Sequence, residues 1–266
     1  MNHCLSIAGS DCSGGAGIQA DIKTFSALGC FGMSAIVAVV AENTSRVISV
    51  QDIRPDIIRD QIDAVFEDIR VDAVKVGMLS GAETMHAVAE KLRQYAPPLT
   101  VVDPVMIAKG GCALMRQDAL DTLIREIIPL AYLLTPNIPE AEVLTGMAIS
   151  SMDAMRAAAN EIHRMGAKNV LVKGGHLDGD AADVLFDGVD FHTFTTPRID
   201  TRNTHGTGCT LSSAIAAHLA NGLALTEAVA AAKRYVTEAI RRALPIGRGH
   251  GPTNHFYEFY RMKGMN

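Results

Sequence analysis

The amino-acid sequence predicts an α/β protein, a three-layer α/β/α sandwich around a largely parallel central sheet. Two observations carry this expectation. Short β-branched runs, several of them apolar throughout, alternate with longer amphipathic runs, as strands covered on both faces alternate with helices. The residues able to do chemistry also gather directly after the strand candidates, where open α/β sheets bind their ligands.

The first strand candidate is CLSIAGS (4–10), which runs through the turn GSDCSGGAG into a helix expected over 16–28. MSAIVAVVA (33–41) lies in the longest apolar stretch, residues 31–41, which is too short to span a bilayer and reads as a buried strand. The helix over 55–70 rests on its period. Ile57, Ile58, Ile62, Val65, Phe66 and Ile69 share a stripe, and Pro55 sits at the start, where proline is tolerated. Next come DAVKVGM (72–78), a helix over 81–95, LTVVDP (99–104) and a helix over 116–127. AYLLT (131–135), helices over 138–145 and 151–166, and NVLVKGG (169–175) continue the alternation.

After residue 181 the texture changes. DVLFDG and DFHTFTTP read as a hairpin around Gly188. Helices over 207–221 and 226–243 come last, ahead of a glycine-containing tail and the aromatic cluster Phe256, Tyr257, Phe259 and Tyr260. No long Pro/Ser linker and no internal repeat interrupts the chain, so residues 1–266 are expected to form one domain.

Composition excludes several classes. The net charge of −5 and the absence of tryptophan argue against nucleic acid as a partner. The N-terminus MNHCLSIAGSDC lacks the basic and apolar regions of a signal peptide, so a cytoplasmic protein without a membrane partner is expected. Five scattered cysteines without C-x-x-C, and histidines without H-x-x-x-H, argue against a disulfide framework and a structural zinc site.

Two glycine loops compete for a phosphate. The first, GSDCSGGAGIQAD (9–21), lacks the G-K-[ST] of a P-loop. Gly15-Ala-Gly17-Ile-Gln-Ala20 matches G-x-G-x-x-A, and Glu42 stands at a plausible distance for a ribose hydroxyl. Five residues intervene where that turn should be tight, however, and Asp11 and Asp21 flank it. The second loop, Thr204-His205-Gly206-Thr207-Gly208-Cys209, opens a helix. Glycine there lets successive N–H groups face one concavity, and the helix dipole adds positive potential. A thiol at such a start tends toward the thiolate, although buried cysteines are commonly inert packing.

The assembled motifs resemble the ribokinase-like superfamily of small-molecule kinases, and within it the hydroxymethylpyrimidine and hydroxymethylpyrimidine-phosphate kinases of thiamin biosynthesis. The resemblance runs through AGSDCSGGAGIQADIKTFSALG, VGML, VDPVMIAKGG, TPNIPEAE, VKGGH and NTHGTGCT in order. It implies ATP-dependent phosphoryl transfer to 4-amino-5-hydroxymethyl-2-methylpyrimidine and then to its monophosphate, with Mg2+. Gly206, Thr207 and Gly208 are implied to form the anion hole, and Cys209 to take the proton of the attacking oxygen. Lys173 and Asp103 lie on the phosphoryl path by the same resemblance. Asn137 and Glu140 match N-x-x-E, implied to organise the metal and the ATP phosphates, with Asp103 the second metal-side carboxylate. His205 and Thr207 fall on the nucleotide side. Asn137-Ile-Pro-Glu140 reads equally as a helix cap with a capping-box acid.

On the acceptor side the resemblance implies Gly9, Asp21, Glu42, Met78 and Val105. Here the chain departs from the family pattern, with Glu42 in A-E-N-T where glutamine is common. An ionised carboxylate only accepts hydrogen bonds, whereas an amide also donates. A vitamin B6 (pyridoxine or pyridoxal) kinase is therefore the alternative acceptor reading. A non-catalytic nucleotide- or pyrimidine-binding protein and a nicotinamide oxidoreductase are the more distant ones. Relatives are often dimers, which implies a homodimer.

Overall fold

In the computed structural model, residues 1–107, 114–116, 119–175 and 179–265 are described. One nine-stranded sheet runs in the order β3-β2-β1-β4-β5-β6-β7-β8-β9. The first five strands are β1 (His3–Asp11), β2 (Phe31–Glu42), β3 (Val47–Asp52), β4 (Ala73–Val76) and β5 (Thr100–Val102). β6 (Leu133–Leu134), β7 (Val170–Val172), β8 (Ala181–Phe186) and β9 (Phe191–Thr196) complete it. β2, β1, β4, β5, β6 and β7 are mutually parallel, while β3 pairs antiparallel with β2, β8 with β7 and β9 with β8.

Helices cover both faces because the strand residues alternate between two cores. Leu5, Ile7, Val74, Val76, Val102, Leu134, Val170 and Val172 point to one face. There they meet α2 (Pro55–Phe66), α3 (Ala82–Tyr95), α5 (Ile138–Thr145) and α6 (Met152–Arg164). Cys4, Ala73, Val101, Leu133, Leu171 and Leu185 point the other way, onto α1 (Gly17–Ala27), α7 (Thr207–Ala220) and α8 (Leu225–Arg241). Each fully buried Val, Leu or Ile side chain contributes roughly 1.5–3 kcal/mol of transfer free energy. Ile58 and Ile62 are fully buried on the α2 stripe, as the period predicts, but Ile57 is exposed and Ile69 lies beyond the helix end at Phe66.

Local chemistry sets the helix ends. Pro55 opens α2, and Ser151 caps α6 by accepting from the Ala154 N–H. α7 is rich in Ala and Ser, so its backbone lies close to the sheet and most of its residues are buried.

The predicted strands near 99–104, 131–135 and 169–175 are shorter than expected, because Pro104, Pro136 and Lys173 already belong to site loops. The expected helix over 116–127 lies partly outside the described residues. Its described part is a short α4 (Leu120–Thr122), a π turn (Leu123–Ile127) and a 3-10 turn containing Pro129. Two elements were not anticipated. β3 is an edge strand exposed over Ile48–Gln51, so it carries no core periodicity. The aromatic tail holds α9 (Tyr257–Met262).

The strand order reverses at β1, whose neighbours are β2 on one side and β4 on the other. A crevice at the carboxyl ends beside such a switch point is where an open α/β sheet binds ligands.

Candidate active site

Every parallel strand delivers a candidate residue to that end. β1 ends in Asp11 and β2 in Glu42. Met78 follows β4, Asp103 follows β5, Asn137 follows β6 and Lys173 follows β7. The N-terminus of α7 closes over them.

The second glycine loop opens α7 without a side-chain cap. Gly206 is left-handed at φ +77. A Cβ on Gly206 would overlap the carbonyl oxygen of Gly15, so only glycine fits where the two loops touch. The Thr207 hydroxyl donates to the Thr204 carbonyl at 2.8 Å and shapes the turn. A Cβ on Gly208 would stand 3.4 Å from both Asp103 Oδ2 and Lys173 Nζ, which places those two groups beside the first turn. Lys173 Nζ donates to Asp103 Oδ1 at 2.7 Å, and Thr135 Oγ1 donates to the same oxygen at 3.2 Å. Burial pushes the Lys173 pKa down, but Asp103 and Glu140 outweigh it and hold the ammonium charged.

The first glycine loop is already full. Asp11, 1 % exposed, accepts from the N–H groups of Ser13, Gly15 and Ala16 at 2.7, 3.0 and 2.7 Å. His205 Nε2 lies 2.8 Å from the same carboxylate. Burial pushes the Asp11 carboxyl up, but these donors overcome it and hold the group well below the usual carboxylate range. An internal anion thus occupies the nest that a pyrophosphate would need, and the dinucleotide reading of G-x-G-x-x-A fails on that ground. His205 accordingly ties the two loops together, a role its place in the motif did not reveal.

Asn137 and Glu140 form the capping box of α5. Glu140 N–H donates to Asn137 Oδ1 at 2.9 Å, and Asn137 N–H donates to Glu140 Oε2 at 2.8 Å. Burial pushes the Glu140 carboxyl up to about 7, against the opposing pull of Lys173. Asp103 and Glu140 are therefore both hydrogen-bonded already. Their donor set fits an Mg2+ held chiefly by nucleotide phosphates and waters, the carboxylates accepting from those waters.

Gly9, Met78, Val105 and Glu42 gather on the other flank. Gly9 approaches so closely that a Cβ would lie 2.7 Å from Met78 Cε. Met78 packs with Ala38 and Val40, and Val105 and Leu114 lie against them as an apolar wall. The polar tips of Glu42, Asp11 and His205 lie within 4.8 Å of one another. Burial, then the neighbouring Asp11 charge, pushes Glu42 up to about 7, with His205 opposing.

Two expectations need correction. Asp21 is fully buried, not on the acceptor surface, and its carboxylate is taken up by Ser6 Oγ (2.6 Å), Lys75 Nζ (2.9 Å) and Ser213 Oγ (2.7 Å). Cys209 is not biased toward the thiolate. Burial pushes its thiol up to about 11, and the Asp21 and Asp103 charges add to this. Lys75 and the Gly17 N–H pull only partly the other way. Sequence reasoning also missed Lys75 and Thr135. The signal for Lys75 was a charge inside the otherwise apolar strand AVKV.

The fold is that of the ribokinase-like kinases, a class of small-molecule phosphotransferases. The chain belongs to the phosphomethylpyrimidine kinase family, whose model matches residues 11–254. It is 58 % identical over 252 residues to the thiamine biosynthesis bifunctional protein ThiED of Geobacter sulfurreducens, covering 94 % of this chain but 51 % of that protein. It is 52 % identical to a hydroxymethylpyrimidine/phosphomethylpyrimidine kinase of Bacillus subtilis, covering 95 % of this chain and 94 % of the relative. Among solved structures, a Clostridium difficile phosphomethylpyrimidine kinase is 51 % identical at TM-score 0.82, covering 90 % of this chain and 100 % of that one. An ADP complex of Bacillus subtilis pyridoxal kinase is 40 % identical at TM-score 0.90, covering 96 % and 97 %.

Proposed function

We propose that the chain transfers the γ-phosphoryl group of ATP to 4-amino-5-hydroxymethyl-2-methylpyrimidine and then to the resulting monophosphate, as a step of thiamin biosynthesis. The observation that carries this reading is the uncapped glycine start of α7, set beside Lys173 and Asp103. The family and its relatives supply the acceptor. A pyridoxal kinase is the weaker reading, because that neighbour is 40 % identical against 52 % for the pyrimidine kinase from the same organism.

Catalysis of this kind rests on positioning and on neutralising charge. The first-turn N–H groups of α7 and Lys173 would hold the transferred group. Mg2+, when bound, would supply further charge neutralisation on the ATP phosphates near Asp103 and Glu140. Cys209, whose thiol burial pushes up to about 11, would act through its minor thiolate form, taking the proton of the acceptor hydroxyl and becoming the thiol. The freed oxygen forms the new O–P bond as the bond to the ADP oxygen breaks. The monophosphate step needs this base less, because its acceptor oxygen is already largely ionised. Gly9, Met78 and Val105 would hold the ring, with Glu42 at its polar edge.

An ATP assay against the pyrimidine alcohol, its monophosphate, pyridoxine and ribose tests the reading. Turnover of the first two is expected. Turnover of pyridoxine alone would sink it. In the same assay Cys209→Ala is expected to fold normally and to lose about 10²–10⁴-fold in turnover of the alcohol.

The single continuous sheet supports taking residues 1–266 as one kinase domain. Among the described residues no helix is long and apolar enough to cross a membrane. A homodimer through the β3 edge is supported by exposed Val39, Ile48 and Val50, at 48, 62 and 43 %. Sedimentation of Ile48→Lys as a monomer, with the parent a dimer, is the expected result.

A further inference from the structure

Lys75 is fully buried, and it pairs with Asp21, which is fully buried as well. Taking two charges out of water costs several kcal/mol per ion, and apolar residues of similar volume serve packing as well or better. The pair therefore calls for another reason. Three elements define its place. Lys75 projects from β4 on the face of α1 and α7, between Val74 and Val76, which point to the opposite core. Its ammonium reaches toward the carboxyl end of the strand, where a Cβ on Gly77 would meet it at 2.7 Å. Asp21 stands one turn beyond Gly17 on α1, and Ser213 one turn beyond Cys209 on α7. The Ser213 hydroxyl donates to Asp21 Oδ1 at 2.7 Å and Lys75 Nζ donates to Asp21 Oδ2 at 2.9 Å, so α1, the ammonium and the turn of α7 that follows Cys209 meet at one carboxylate.

We propose that Lys75 is a positioning residue for phosphoryl transfer, its Asp21-tethered ammonium supplying the buried positive charge that Cys209 needs to exist as a thiolate. The inference rests on the kinase reading above. The charged groups acting on Cys209 are Lys75 from β4, Asp21 from α1, Asp103 after β5 and Lys173 after β7. Among these, Lys75 is the foremost cation opposing the effects of burial and of the two carboxylates. Burial pushes the Lys75 pKa down, but Asp21, Cys209 and Asp103 more than compensate, so the ammonium stays charged. Asp21 then acts through Lys75, which explains why a carboxylate of α1 lies buried beneath the site.

The test is the alkylation rate of Cys209 by iodoacetamide at pH 9, resolved by peptide mass spectrometry, with exposed Cys12 as the internal control. Lys75→Met is expected to slow Cys209 at least about tenfold, one pH unit of lost thiolate, while Cys12 is unchanged. Turnover of the alcohol should fall more than turnover of the monophosphate, with the KM for ATP retained. If Lys75→Met does not fold, Lys75→Met/Asp21→Asn leaves no unpaired buried charge and decides the matter. Slower alkylation is expected there too, because the ammonium outweighs the Asp21 charge. A Cys209 rate within about twofold of the parent, in whichever variant folds, overturns the proposal. Alkylation needs neither ATP nor acceptor. A protein without kinase activity but with the expected slowing would therefore refute the kinase reading while leaving the link between Lys75 and Cys209 standing.

Discussion

The loop after β1 and the loop before α7 both lead glycines into a helix, yet Asp11 fills the first while no side chain caps the second. The first loop spends its N–H groups on its own carboxylate and becomes a rigid wall. The second leaves its helix start uncapped, and the proposed function gives that start to the transferred phosphoryl group. Motif spelling favours the first, and hydrogen bonding favours the second. A glycine pattern alone does not locate a phosphate site; what matters is whether the nest already holds an anion.

The contact between the loops gives the largest expected effect. Gly206→Ala forces a left-handed alanine into the Gly15 carbonyl, and is expected to cost more than about 3 kcal/mol and to abolish turnover. Thermal melting and the ATP assay check this. Next comes Asp11→Asn, which weakens the charged hydrogen bonds holding the first loop. A loss of about 2–3 kcal/mol is expected, with the KM for the acceptor rising more than that for ATP. The pH dependence has a definite sign. Because the folded Asp11 pKa is depressed, its contribution is present above about pH 4 and is lost as pH falls below that. The Asn variant should lack that part of the acid lability.

Glu42→Gln gives the smallest effect, of opposite sign. The folded Glu42 pKa is raised to about 7, so its favourable contribution exists below the ordinary glutamate value and is lost as pH rises through about 7. Native stability should therefore decline from pH 5 to 8 relative to the glutamine variant. The KM for the aminopyrimidine should vary over pH 6–8 in the native protein and be flat in Glu42→Gln. Parallel profiles in the two proteins would remove Glu42 from the acceptor edge.

The sheet, its helices and the residues at the strand ends were legible because both cores impose periodicity and the chemistry follows the strands. β3 was not legible, since an edge strand exposed over four successive residues carries no burial pattern. The capping box of Asn137 and Glu140 was visible in the spacing alone. The ion pair between Lys75 and Asp21 was not, because it joins residues 54 apart and exists only once β4 lies against α1 and α7. For the same reason the thiol was misjudged. The helix start was readable at Cys209, but the burial and the two carboxylates that push it up to about 11 are tertiary.

The most direct test follows backbone amide shifts on adding ADP, magnesium and aluminium fluoride together with the pyrimidine alcohol, a mimic of the phosphoryl group in transfer. The largest perturbations are expected at the amides of Gly206, Thr207, Gly208 and Cys209, with Ser13, Gly15 and Ala16 little changed. Dominant shifts at Ser13, Gly15 and Ala16, with the α7 start unmoved, would place the phosphate in the first loop and contradict the account.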